Sequence, residues 1–259
     1  MRSVLADIDG EGLERAVREL RSSGAAAIGV RTDVAQAADV QALADRAVGE
    51  FGAVHVLCNN AGVGTGSDFA KIPLEVWEWV LGVTLWGVIH GCRAFLPILL
   101  EQDEAHIVNT SSMAALNGHP LGLAPYTVAK SGVLGLSQNL FFELAATTGG
   151  RVGVSVLIPG LTRTRIFESM RNLPPAVPVP PPSSFAVTSR AAIEEVWDSA
   201  LEPAKVADAV VAAIREPRFY VLTHPEESFD MAEQQLRWMK TNVPLVPGPG
   251  VARTADVPP

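Results

Sequence analysis

Short apolar runs and longer amphipathic stretches take turns along the chain. Ser3–Asp7, Ala26–Val30, Val54–Asn59, Ala105–Ser111, Val152–Ile158 and Phe219–Leu222 have the length and content of strands. Between them, apolar residues recur every three or four positions. Glu11–Ser23 places Leu13, Ala16, Val17 and Leu20 on one stripe, and Val40–Phe51, Leu74–Leu100, Pro125–Thr147 and Lys205–Arg215 also read as helices. Strands separated by helices of this length need crossover connections. The pattern therefore predicts an α/β fold: a doubly wound parallel sheet with helices on both faces.

The chain has 259 residues, 48% of them apolar and 19% charged, which suits one domain with a full core. Six prolines between Pro174 and Pro182 exclude a helix there and predict a loop. The expected organisation is one domain over residues 1–243, a Pro-rich lid at about 163–200, and a frayed tail over 244–259. The formal charge of −8, with no basic run, argues against nucleic acid as a partner. Cys58 and Cys92 form no metal or disulfide pattern, and Cys58, inside a strand, is expected to be a buried thiol. The most apolar stretch, Trp79–Leu100, carries His90, Arg93 and Pro97 and reads as a core helix, not a membrane span. No basic segment followed by an apolar run opens the chain, so a cytoplasmic protein is expected.

Candidate chemistry gathers at the strand ends, where open parallel sheets bind ligands. Asn59-Asn60-Ala61-Gly62 ends one strand, Ser111-Ser112 another, and Pro159-Gly160 a third, followed by Thr162 and Thr164. Tyr126 and Lys130 sit four apart, so a helix places them on one face. A cation beside a phenol is expected to lower its pKa and make Tyr126 a proton donor and acceptor.

The order NNAG, strand-SS, YxxxK, strand-PG-x-x-x-T resembles the short-chain dehydrogenase/reductase (SDR) family, over about residues 3–224. The resemblance implies a Rossmann-like oxidoreductase that transfers a hydride between NAD(H) and a secondary alcohol or ketone. It implies that Ser112 holds the carbonyl, Tyr126 exchanges its proton, and Lys130 tunes the tyrosine and bonds the nicotinamide ribose. Asp7, at a strand end, matches the acid that binds the adenosine ribose hydroxyls and repels a 2′-phosphate, which implies NAD in preference to NADP. Asp33 matches an adenine contact, with an ordinary helix cap as the competing reading. Asn59, Ala61 and Gly62 match the cofactor-lining NNAG motif, with Asn59 mainly fixing its strand. Pro159, Gly160, Thr162 and Thr164 match the segment at the carboxamide. A homodimer or homotetramer is implied, since the family commonly pairs its two long helices.

Two departures stand against the family pattern. No glycine-rich turn precedes Met1–Asp7, which resembles the family's second strand, so the first βα unit is expected to be absent and Met1 to be an internal methionine. Gly62-Val63-Gly64-Thr65-Gly66 lacks the spacing of that turn and reads as a loop. The usual catalytic Asn is replaced by Thr84, whose hydroxyl is expected to bond its own helix. These departures keep a second reading alive, a non-catalytic or impaired Rossmann-like scaffold. A hydrolase is disfavoured, because no GxSxG elbow or carboxylate pair is present.

Overall fold

The computed structural model describes residues 1–117, 122–183, 197 and 200–243. The strands are β1 (Arg2–Asp7), β2 (Ala26–Arg31), β3 (Val56–Asn59), β4 (Ala105–Thr110), β5 (Val152–Ile158) and β6 (Tyr220–Leu222). The helices are α1 (Gly10–Ser22), α2 (Ala37–Phe51), α3 (Leu74–Leu81), α4 (Gly87–Leu100), α5 (Ala114–Asn117), α6 (Ala124–Thr148), α7 (Pro203–Arg215) and α8 (Pro225–Thr241). The expected Leu74–Leu100 helix is continuous, but a π-helical turn at Gly82–Trp86 joins α3 to α4. Arg165–Asn172 forms a kinked 3-10 segment in the lid, a feature the sequence pattern did not announce. Helix α8 was also not anticipated.

Every described strand pair is parallel, as the crossover pattern requires. The sheet falls into two parts, β1-β2 and β3-β4-β5-β6. Among the described residues, β1 and β3 each pair along one edge only. β3 carries a second sign of this: Leu57 is buried, while its flanking residues Val56 and Cys58 are exposed. Cys58 is thus not the buried thiol expected.

Two clusters show that the larger part is wrapped on both faces. Ile107 of β4 and Val152 and Val154 of β5 meet Val88, Phe95 and Leu99 of α4 and Val133, Leu140 and Leu144 of α6. Val108 and Leu157 face the other way, onto Ala213 of α7 and Val221. Alternate residues of one strand thus serve opposite layers. Within Val133–Leu144 of α6, Val133, Leu140 and Leu144 are spent on the core, while Phe142 is 69% exposed. Helix Leu74–Leu100 is long and apolar enough to cross a membrane, with a mean hydropathy of 1.6 over its best window. Its buried residues, from Val76 to Leu99, are core contacts of this fold.

Candidate active site

The carboxyl ends of β3, β4 and β5 meet the start of α6. Helix α6 opens with Pro125 in its first turn, where the missing N–H costs nothing. The next residue, Tyr126, and Lys130 one turn further on lie on the same side. The two serines at the end of β4 then divide the work. Ser111 is fully buried and donates to the Lys130 carbonyl at 2.8 Å, tying β4 to α6. Ser112 is half-buried, accepts the Ala114 N–H at 3.2 Å, and hydrogen-bonds the Tyr126 side chain. Lys130 is 4% exposed; its Nζ donates to the Thr110 carbonyl at 2.7 Å and lies 5.7 Å from the Tyr126 ring centroid.

The electrostatics differ from the expectation drawn from spacing. Burial pushes the Tyr126 phenol above its ordinary pKa, and the Ser112 hydrogen bond pulls it back only in part. Burial also drives the Lys130 ammonium down to about 8. The lysine stands over the face of the ring, and its own charge is weakened by the same low-dielectric pocket. Tyr126 is therefore held as a neutral phenol.

Thr84 also departs from the expectation. Its hydroxyl does not bond its own helix. It accepts the Val63 N–H at 3.0 Å and donates to the Val63 carbonyl at 3.0 Å, in a position with no exposure. The loop after β3 leaves those two backbone groups buried and unpaired, and the π turn around Thr84 supplies the hydroxyl that satisfies them. Glycines make this fit possible. A Cβ on Gly62 would stand 3.5 Å from Lys130 Nζ and 3.7 Å from Thr84, one on Gly64 would press the Tyr126 ring at 3.2 Å, and one on Gly66 would collide with the Gly122 carbonyl. The glycine cluster is thus a loop, as expected, but one moulded onto the site. Ser169 of the lid completes it by accepting the Gly64 N–H at 3.0 Å. Only the density of glycines hinted at this contact in the sequence; Ser169 carried no signal.

The remaining candidates line the same rim or support it. Asn59 donates to Asn109 at 2.8 Å, and Asn109 donates to Ser137 on α6, which fixes β3 to β4 and α6. Ala61 is exposed at the loop start. Asn60 accepts from Thr110 at 3.1 Å. Pro159 accepts the Met113 N–H, Gly160 donates to Thr223, and a Cβ at Gly160 would strike His224 and Met113. Thr162 donates to the Gly160 carbonyl, and Thr164 caps the 3-10 segment by accepting the Ile166 N–H. Asp7 is exposed at the end of β1 and accepts the Asp9 N–H at 2.9 Å; the cap of α1 is Asp9, not Asp7. Asp33 accepts the Ala35 N–H, while Gln36 stands at the N-cap of α2, so Asp33 is not that helix's cap. His119, read from the sequence as a candidate substrate contact, and Phe185, read as part of the apolar lid, lie outside the described residues.

The residues can be tested against a dinucleotide. Gly62 brings the backbone close to Lys130, and Asp7 offers an exposed carboxylate at a strand end, so the two ends of such a molecule have matching groups. The middle does not. The described helix N-terminus nearest Asp7, that of α1, carries Asp9 and Glu11, and its Asp9 is held below the usual carboxylate range by the Gly12 N–H, with Arg15, Arg165 and Arg171 assisting. Carboxylates at a helix start oppose a phosphate.

A family profile described as short chain dehydrogenase matches residues 1–173. The 1-deoxy-11-beta-hydroxypentalenate dehydrogenase of Streptomyces avermitilis is 34% identical over 236 residues, 90% of this chain and 79% of its own. A short chain dehydrogenase/reductase from Burkholderia phymatum, solved in complex with NAD, is 39% identical with a TM-score of 0.85, covering 95% of this chain and 89% of that one. A metagenomic short-chain oxidoreductase solved with NADP is 32% identical with a TM-score of 0.57, over 61% of this chain and 71% of that one.

Proposed function

Since the chain belongs to the short-chain dehydrogenase family, we propose that it interconverts an apolar secondary alcohol and its ketone with NAD(H). The family makes it an oxidoreductase with a Rossmann-like fold, and its structural neighbours carry a nicotinamide cofactor. One observation carries the finer reading: Ser112 hydrogen-bonds Tyr126 while buried Lys130 stands over the same ring. A scaffold has no physical use for that set.

The cofactor, when bound, supplies or takes up the hydride. The chain's own residues handle the oxygen and its proton. In reduction, the Ser112 hydroxyl holds the carbonyl oxygen and Tyr126 donates its phenolic proton to it. The raised pKa keeps the phenol protonated at neutral pH but also makes it a weaker acid, so the shift by itself selects neither direction. Lys130, Gly62, Thr162 and Thr164 hold the nicotinamide end, with Asn59, Ala61, Pro159 and Gly160 shaping the rim. Asp7 and Asp33 face the adenosine end, and the Asp7 carboxylate would repel a 2′-phosphate, which favours NAD over NADP.

The substrate class follows from the lid. Met170, Leu173 and Val177 pack on Val63, Ile72, Val76, Trp79 and Val80, so the lid rests on α3 through apolar contacts. Phe167 is exposed beside Trp197, with ring centroids 6.1 Å apart. An apolar substrate would extend that surface. Charge and composition favour a cytoplasmic protein with a small-molecule substrate.

The carboxylates at the start of α1 favour a second reading, an impaired or non-catalytic protein. Absorbance assays with NADH and NADPH against a series of apolar ketones separate the two, with Tyr126→Phe as the control. Turnover that Tyr126→Phe abolishes supports the enzyme. Absence of both turnover and cofactor binding, with a cooperative melt, supports the scaffold.

A further inference from the structure

We propose that His224 is a positioning residue for the nicotinamide end of the cofactor, acting through Thr223 on the Pro159-Gly160 turn. The proposal rests on the oxidoreductase reading above. Strand β6 runs parallel to β5, with Leu222 opposite Ile158. Thr223 and His224 therefore leave the sheet beside Pro159 and Gly160, at the carboxyl end where parallel sheets bind ligands. The first turn of α8 fixes the His224 backbone. Its carbonyl accepts the Ser228 N–H at 3.0 Å and the Ser228 hydroxyl at 2.7 Å, and Ser228 is 2% exposed. His224 holds the N-cap position of α8, yet its side chain makes no capping bond to that helix. The imidazole turns to the site instead.

Thr223 Oγ1 accepts the Gly160 N–H at 3.0 Å and lies 2.8 Å from His224 Nδ1. The same ring closes on the Gly160 Cα. A Cβ there would stand 2.5 Å from Nδ1, 2.8 Å from Cε1 and 2.8 Å from the Met113 sulfur. Met113 directly follows Ser112, and its N–H donates to the Pro159 carbonyl at 3.1 Å. The turn is thus held between the end of β6 and the Ser112 loop. A threonine hydroxyl has one proton and a free rotor. Bonded to Nδ1, the Thr223 hydroxyl stays in the rotamer that receives the Gly160 N–H. Without the imidazole nitrogen it is free to turn away. The turn runs on to Thr162, whose hydroxyl donates to the Gly160 carbonyl at 3.2 Å, and then to Thr164. These are the threonines assigned to the nicotinamide end, so a displaced Gly160 displaces them as well.

Three variants of the full chain test this: Thr223→Val, His224→Phe and the two combined. Phenylalanine keeps a ring against Gly160 and removes the nitrogen. The measurements are NADH affinity by fluorescence titration, KM for NADH and for a ketone from initial rates, exchange of the Gly160 amide by NMR, and thermal melts. Each single variant should weaken NADH binding by about five- to tenfold, the worth of one hydrogen bond, with the ketone KM within about twofold. The Gly160 amide should exchange faster in each. The double variant should match Thr223→Val alone, because the imidazole has nothing to act on once the hydroxyl is gone. Additive effects, or parental NADH affinity in His224→Phe, would overturn the proposal. So would a loss in every parameter that follows a lowered melting temperature, the mark of a residue that only supports the fold. A parent with no turnover sensitive to Tyr126→Phe would overturn the oxidoreductase reading itself, and this proposal with it.

Discussion

Thr84→Val isolates the most specific local interaction at the site. Valine nearly matches threonine in shape, so the change removes the hydroxyl and little else. Two hydrogen bonds of 3.0 Å to the Val63 backbone vanish, in a position with no exposure. A buried polar group left unpaired costs about 1–3 kcal/mol, so the N–H and the carbonyl together set a range of about 2–6 kcal/mol. The low end is expected, because the 61–66 loop can rotate toward water. At about 2 kcal/mol the melting temperature should fall by roughly 4–8 °C for a domain of this size. Gly64 lies against the Tyr126 ring, so a loosened loop should also lower kcat in any active preparation. Thr84→Ser keeps the hydroxyl and should melt near the parent. Thr84→Asn keeps a donor and an acceptor, and should not reduce activity. The measurements are circular dichroism melts beside initial rates. A valine variant with parental melting and parental kcat/KM would refute the clamp.

Tyr126→Phe should lower turnover by roughly 10²–10⁴-fold while cofactor affinity stays within a few-fold, and near-parental turnover would remove Tyr126 from the mechanism. Asp7→Ser should narrow the preference for NADH over NADPH; a parent that prefers NADPH contradicts the Asp7 argument. Lys130 sits at about 8 in the fold against 10.5 when exposed, so between those values the unfolded chain holds a proton that the folded chain lacks. Stability from this group should therefore rise with pH across that window, by about 3 kcal/mol. Lys130→Met should flatten the rise in urea titrations, and equal slopes in both proteins would show that Lys130 is not depressed.

Local periodicity carried the strands and the core helices, since burial of alternate or every-third residues is written directly into the chain. β5 matches its predicted span residue for residue, and the ends of α2 and α7 at Phe51 and Arg215 also coincide. Helix α8 escaped because most of it faces solvent, so its stripe is thin against charged neighbours. Its start signals were legible all the same: Pro225 in the first turn, then Glu226 and Glu227. The candidate site was legible as a list of residues and not as an arrangement. Spacing placed Tyr126 and Lys130 on one helix face, but which of Ser111 and Ser112 reaches the phenol depends on how the β4 end packs against α6. The sign of the tyrosine shift depends on more still. A lysine four residues away lowers a phenol's pKa only while it stays charged and its ammonium lies near the phenolic oxygen. Here the Thr110 carbonyl takes the ammonium, and the 61–64 loop, stapled by Thr84 and Ser169, closes over both groups. Burial then acts on tyrosine and lysine in opposite directions, up for one and down for the other. That loop comes from a segment about 60 residues earlier in the chain, so no window around Tyr126 contains the information that decides which way its pKa moves.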